Sequence, residues 1–146
     1  MSTAEYLEAK ILTATPHQLH LMVIDAAIRQ AIIAEDALRQ NKIETAQRAS
    51  SKGRQLVAEL IGGLDPARAP EVVENLRSLF LFVHRKLTEA ESRRDPASAA
   101  DALTTLRMHR ETWLLLGEQL REEEQSSAQL VREHESTASG RFSWSS

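Results

Sequence analysis

The sequence predicts an all-α protein: an antiparallel up-down-up-down four-helix bundle with an N-terminal apolar arm and a disordered C-terminal tail. Three observations predict it. Ala, Leu, Glu, Gln and Arg are abundant, and the 146 residues include only five Gly and four Pro, a balance that favours helix over sheet. Apolar residues recur at helical spacing over three long stretches. Breaker residues between segments leave only short connections, which set consecutive helices antiparallel.

The elements follow in order. Residues 1–15 form the arm, with an extended segment from Tyr6 to Ala14. Thr15 is a good N-cap, because its hydroxyl can accept from an orphaned backbone N–H. Pro16 suits the first helical position, and Gln18 completes a capping box with Thr15. The first helix therefore runs over about 16–40 and stops near Asn41. The second spans about 43–61 and ends at Gly62-Gly63. The loop Leu64-Asp65-Pro66 leads to a third helix, about 69–93. Asp95-Pro96 repeats the cap-then-proline device and opens a fourth, about 97–124. Residues 1–126 make one bundle domain. Residues 127–146, rich in Ser, Glu and Gln, read as a mobile tail, with Phe142 and Trp144 as aromatic exceptions within it.

Composition excludes several function classes. There is no cysteine, so neither a disulfide framework nor a thiolate metal site is available. The net charge of −3 and the scattered Lys and Arg argue against nucleic acid as the main partner. No run approaches the roughly eighteen apolar residues of a membrane span, and the start Met1-Ser2-Thr3-Ala4-Glu5 lacks the pattern of a signal peptide.

Catalysis has no candidate constellation. No histidine follows a Glu by three residues, the spacing of di-iron bundle sites. Gly62-Gly63 is a helix stop and not a phosphate cradle, and no serine sits in a Gly-x-Ser-x-Gly elbow. His17 and His20 lie one turn apart but read as solvated. His84 and His109 read as core-edge residues with satisfied nitrogens. The sequence thus predicts no catalytic residue, no metal site and no cofactor.

The first helix carries more apolar surface than a bundle position requires. At about 100° per residue, Leu19, Met22, Val23, Ala26, Ile33, Ala34 and Ala37 share one side. Leu21, Ile24, Ile28, Ala31 and Ile32 fall mostly opposite. Only a strip with Gln18, Asp25, Arg29 and Asp36 is consistently polar. A surface helix needs an apolar stripe of little more than about 100°, so one face is surplus. Such a patch marks an interaction site, or else a central helix or a dimer interface. In the third helix Val72, Val73, Leu76, Leu79, Phe80, Val83 and Leu87 form a stripe from which Leu81 and Phe82 project. The fourth shows Ala99, Leu103, Leu106, Trp113, Leu114 and Leu120 on one side. A groove between such faces suits an amphipathic partner helix.

Tyr6, Ile11-Leu12-Thr13-Ala14-Thr15-Pro16, Leu19, Leu21-Met22, Asp25 and Ala27-Ile28-Arg29 together resemble the opening of the flagellin export chaperones, the FliS family. The match is close over about residues 6–30, and the rest agrees in layout, including a tryptophan in the fourth helix at Trp113. Ile24 stands where the family usually has an aromatic, and Ala26 where it usually has glycine. The resemblance implies a cytoplasmic, non-enzymatic chaperone that binds the C-terminal segment of flagellin. It would prevent premature polymerisation and deliver its client to the flagellar type III export apparatus, contacting the export gate when loaded. No nucleic acid or membrane partner is implied, and the protein would be a monomer or a weak homodimer.

The residues expected to contact flagellin fall into two groups. The arm and turn supply Tyr6, Ile11, Leu12, Thr13 and Ala14. The surplus face supplies Leu21, Ile24, Ile28 and Ile32, joined by Leu81 and Phe82. Tyr6, Ile11 and Leu12 are expected to pack along the bundle and to be displaced by the client. The alternative is a non-enzymatic helical homodimer with a structural or regulatory role, its surplus face paired with itself.

Overall fold

The computed structural model describes residues 2–67 and 69–144, with side chains described as far as Thr137. Among these the chain forms five helices: α1 (Thr3–Thr13), α2 (Pro16–Arg39), α3 (Ile43–Gly62), α4 (Pro70–Arg93) and α5 (Pro96–Trp144). It divides into two compact units, Met1–Glu111 and Thr112–Ser146. The first holds the bundle, made of α2, α3, α4 and the opening of α5.

The predicted α2 start forms as its sequence dictates. Gln18 N–H donates to Thr15 Oγ1 at 3.1 Å, and Thr15 N–H donates back to Gln18 Oε1 at 2.9 Å. At the other end Asn41 adopts a left-handed φ of 57°. Lys42 N–H then reaches Ala37 O at 2.7 Å and Asn41 N–H reaches Leu38 O at 3.2 Å, the paired bonds of a Schellman stop. Asp95 opens α5 by accepting from Ala97 N–H at 3.0 Å and from the Ser98 hydroxyl at 2.9 Å. Each cap satisfies backbone groups that a helix end leaves orphaned.

α3 lies against both α2 and α4, while α2 and α4 are diagonal partners. On the seam between α4 and α5, Lys86 meets Asp101 at 3.8 Å and Glu89 meets Ser98 at 3.5 Å. Positions rise on one helix as they fall on the other, which fits the alternating order that short connections impose.

The core changes character along its length. Ile24, Val57, Phe80, Val83, Leu87 and Leu106 fill the larger part and are fully buried. Toward the α2–α3 and α4–α5 turns the four helices meet through Ala34, Ala49, Ala90 and Ala99. Alanine brings backbones close, so little volume is needed there.

Two expectations are corrected. The arm is not extended: residues 3–13 are α1, because Ser2 and Glu5 form a second capping box and the residues between are good helix formers. Only Ala14 (φ −75°, ψ 143°) and Thr15 (φ −71°, ψ 162°) remain extended. Thr15 precedes a proline, which disfavours the helical region for it. Nor does α5 stop near Glu124 and give way to a disordered tail; it continues to Trp144. No Gly or Pro interrupts the path between Gly117 and Gly140, and Gln129 donates to Glu133 one turn on at 3.2 Å. Every residue from Glu118 to Thr137 is exposed. The side chains of Phe142 and Trp144 lie outside the described residues.

Candidate partner-binding surface

The N-terminal helix buries nothing. Tyr6 is 58% exposed and Leu12 78%, and Leu7 and Ile11 are exposed as well. A spacing of four residues puts Leu7 and Ile11 on one side of α1, with Leu12 turned away, and Ala14 lies just beyond the helix end. The Thr13 hydroxyl donates to Ala9 O at 2.9 Å and so closes the last turn on itself. The expectation that Tyr6, Ile11 and Leu12 pack along the bundle is therefore overturned. A free-standing capped helix leaves its apolar side chains in water.

On α2 the expected contact face divides. Ile24 is 0% exposed, in the centre of the core, and is not a surface residue. Ile28 is half-buried and packs against that core, and Leu21 is half-buried. Ile32 alone of the four is exposed, at 41%, and its neighbour Ile33 and the early Leu19 join it in solvent. The inward line is Ile24, Ala27, Ala31, Ala34 and Ala37, drawn partly from each of the two apolar sides. Helices that pack closely turn their small residues toward each other, so alanine and not isoleucine marks most of the core face here.

On α4, Leu81 is 52% exposed, as its place off the stripe suggests. Phe82 is half-buried. The Arg85 guanidinium lies 5.4 Å from its ring centroid and the Lys86 ammonium 5.6 Å, so cations shield its face. Because α4 is diagonal to α2, Leu81 and Phe82 do not extend the α2 strip. Leu7, Leu19 and Ile33 were missed as surface positions. Their signal was present in the apolar surplus of α1 and α2, but the wheel puts Leu19 and Ile33 on the side opposite the expected contact face.

Polar groups fasten α2 to the opening of α5. Arg110 Nε donates to Asp25 Oδ1 at 2.6 Å, which gives the lone acid of the α2 opening a partner. Above it His20 Nε2 meets His109 Nε2 at 2.8 Å, and both rings lie against Phe80, at 5.9 and 5.1 Å between centroids. Burial lowers the His20 pKa to about 4, helped by the electrostatic influence of His109 and His17. Burial also holds His109 below the ordinary imidazole value. His20 was expected to be solvated; the cross-helix contact to a residue 89 positions away in sequence puts it in a seam.

Among the described residues, no group of three or more His, Cys, Asp or Glu is arranged to hold a metal ion. No described helix is long and apolar enough to cross a membrane. The surface instead offers apolar helix faces and scattered charge, which can bind another chain by burying area.

Comparison with known proteins agrees with this picture. Residues 1–120 match the family described as flagellar protein FliS. The flagellar secretion chaperone FliS of Salmonella typhimurium is 29% identical over 108 residues, covering 73% of this chain and 80% of the relative. The flagellar secretion chaperone FliS of Vibrio cholerae is 22% identical over 107 residues, covering 73% and 79%. With a capped helical bundle, an exposed apolar N-terminal helix and a family match over most of its length, this chain belongs to the FliS family of flagellar proteins.

Proposed function

We propose that this chain is a flagellar secretion chaperone, the activity for which its relatives are named, and that its client is the C-terminal segment of flagellin. It works in the cytoplasm, shields the client from premature polymerisation and delivers it to the flagellar type III export apparatus. No catalytic step is involved; the client's apolar stripes are covered by reversible binding.

The observation that carries this reading is α1, a capped helix whose apolar residues are all exposed. Beside it in sequence stands the α2 strip of Leu19, Ile32 and Ile33. Isolated helices of about a dozen residues are marginal in water. An exposed apolar helix of this length gains most by packing against another chain. Tyr6, Leu7, Ile11, Leu12, Leu19 and Ile32 are the residues assigned to client contact, with Leu81 a peripheral candidate. Thr13 and Ala14 lie at the junction between α1 and α2.

Calorimetric titration with the C-terminal segment of flagellin tests the reading. One-to-one binding with a large negative heat-capacity change is expected, because apolar surface is buried. Ile32→Glu is expected to weaken binding at least tenfold and leave the helical circular dichroism unchanged. Ile24→Glu is expected to unfold the bundle, since an unpaired buried charge costs several kcal/mol. No heat at all, with a tight dimer in light scattering, would instead favour the homodimer.

A further inference from the structure

We propose that the His20–His109 contact is an acid latch on the seam between α2 and α5, released when both Nε2 atoms carry hydrogen. At a separation of 2.8 Å the two Nε2 atoms are within hydrogen-bond reach. One ring must donate and the other accept, whichever tautomers are present. The rings meet at 75° with centroids 5.1 Å apart, and His109 stands edge-on to Phe80 at 86°. The bridge therefore holds the opening of α5 against α2 directly over the largest buried side chain of the core.

Protons load the latch in two steps. A first proton goes to Nδ1 of the donating ring, the nitrogen of that ring that carries no hydrogen. It leaves the bridge in place as a charged N–H···N bond, at the cost of a cation partly removed from water. A second proton has only the accepting Nε2 to go to. It would place two N–H groups head to head and two cations side by side, so the closed seam admits one proton at most. An opened seam lets both rings ionise in water. Burial disfavours even the first step, since it holds both imidazoles below their ordinary value.

The surroundings sharpen the effect. His17 stands one turn before His20 on α2 and opposes its ionisation. Arg110, next to His109 on α5, is engaged with Asp25. α4 presents Phe80 to both rings, with Arg77 and His84 one turn to either side of it along the helix. α3 supplies apolar Val57 and Leu60 to the same core. Opening uncovers Phe80, so the protons that free α5 also expose apolar core surface.

The test compares the full-length protein with the double variant His20→Gln/His109→Gln, whose amides can bond across the seam without titrating. Denaturant unfolding is measured at pH 6 and pH 5. Each proton excluded by the folded state changes the folded-to-unfolded ratio by about tenfold per pH unit. The ratio of the unaltered protein is expected to fall ten- to a hundredfold further than that of the variant. Parallel profiles would overturn the proposal. A second measurement needs no variant: NMR titration of the histidine rings, with hydrogen exchange of the amides in residues 96–111. Loss of α5 protection in step with double ionisation of His20 and His109 supports the latch. Full ionisation of both rings with α5 still protected overturns it.

Discussion

Gly53 on α3 faces Leu87 on α4 so closely that a β carbon built on Gly53 would lie 3.0 Å from Leu87 Cδ1. Leu87 is fully buried among the core side chains, so it must shift against packed neighbours to admit a β carbon. The glycine is present for approach, not for an unusual backbone angle, since it sits within an ordinary helix. Its place on the inner face with Ala46, Ala49 and Ser50 lets α3 and α4 pack close.

Gly53→Ala should therefore destabilise the protein, although alanine is the better helix former by up to about 1 kcal/mol. Overpacking of a filled core typically costs about 1–3 kcal/mol and outweighs that gain. Urea unfolding measures the difference. A rise in midpoint would mean that Leu87 can yield.

Arg94 should respond in the opposite direction. It caps α4 at φ 51° and ψ 44°, where a β carbon is strained, and its side chain is exposed. Asp95 N–H bonds to Ala90 O at 3.1 Å across it, so the turn depends on that left-handed angle. Arg94→Gly removes the strain and is expected to raise stability by up to about 1 kcal/mol, less what glycine adds to unfolded-chain entropy. The urea midpoint should rise and the m-value stay unchanged.

Asp95 carries a pH signature. The Ser98 hydroxyl and the Ala97 N–H hold its carboxyl below the usual aspartate range. A depressed folded-state pKa means that the stabilisation is present above the ordinary value of about 3.9 and is lost as pH falls through the lower folded one. Asp95→Ala should lower the melting temperature at neutral pH. The gap from the unaltered protein should close as the pH is taken below about 4. A gap that stayed constant into acid would show that the cap does not depend on charge.

Local signals were legible where local chemistry decides the outcome. Thr15-Pro16-His17-Gln18 spells a helix start, and the two bonds of its capping box form as written. Asn41 reads as a helix stop and takes the left-handed angle of one. The stripe through Val73, Phe80, Val83 and Leu87 is the buried face of α4. The segment from Tyr6 to Ala14 reads as extended, although most of it lies in α1. Yet the capping box from Ser2 to Glu5 was visible just before it.

By itself the sequence determined the helical class, most of the element boundaries and the excess of apolar surface near the N-terminus. Capping, proline geometry and period all act within a few residues, so neighbouring letters suffice for them. Only the tertiary structure decided which way that surplus points. Ile24 and Ile32 lie eight residues apart on one helix, within about 80° of each other at about 100° per residue, yet Ile24 is core and Ile32 is solvent-facing. The deciding factor is how closely α3, α4 and α5 approach α2, a property of alanines on four different helices. In the same way only the fold brings His20 to His109 and Asp25 to Arg110, because contact across a bundle depends on helix register and leaves no periodic mark in the chain.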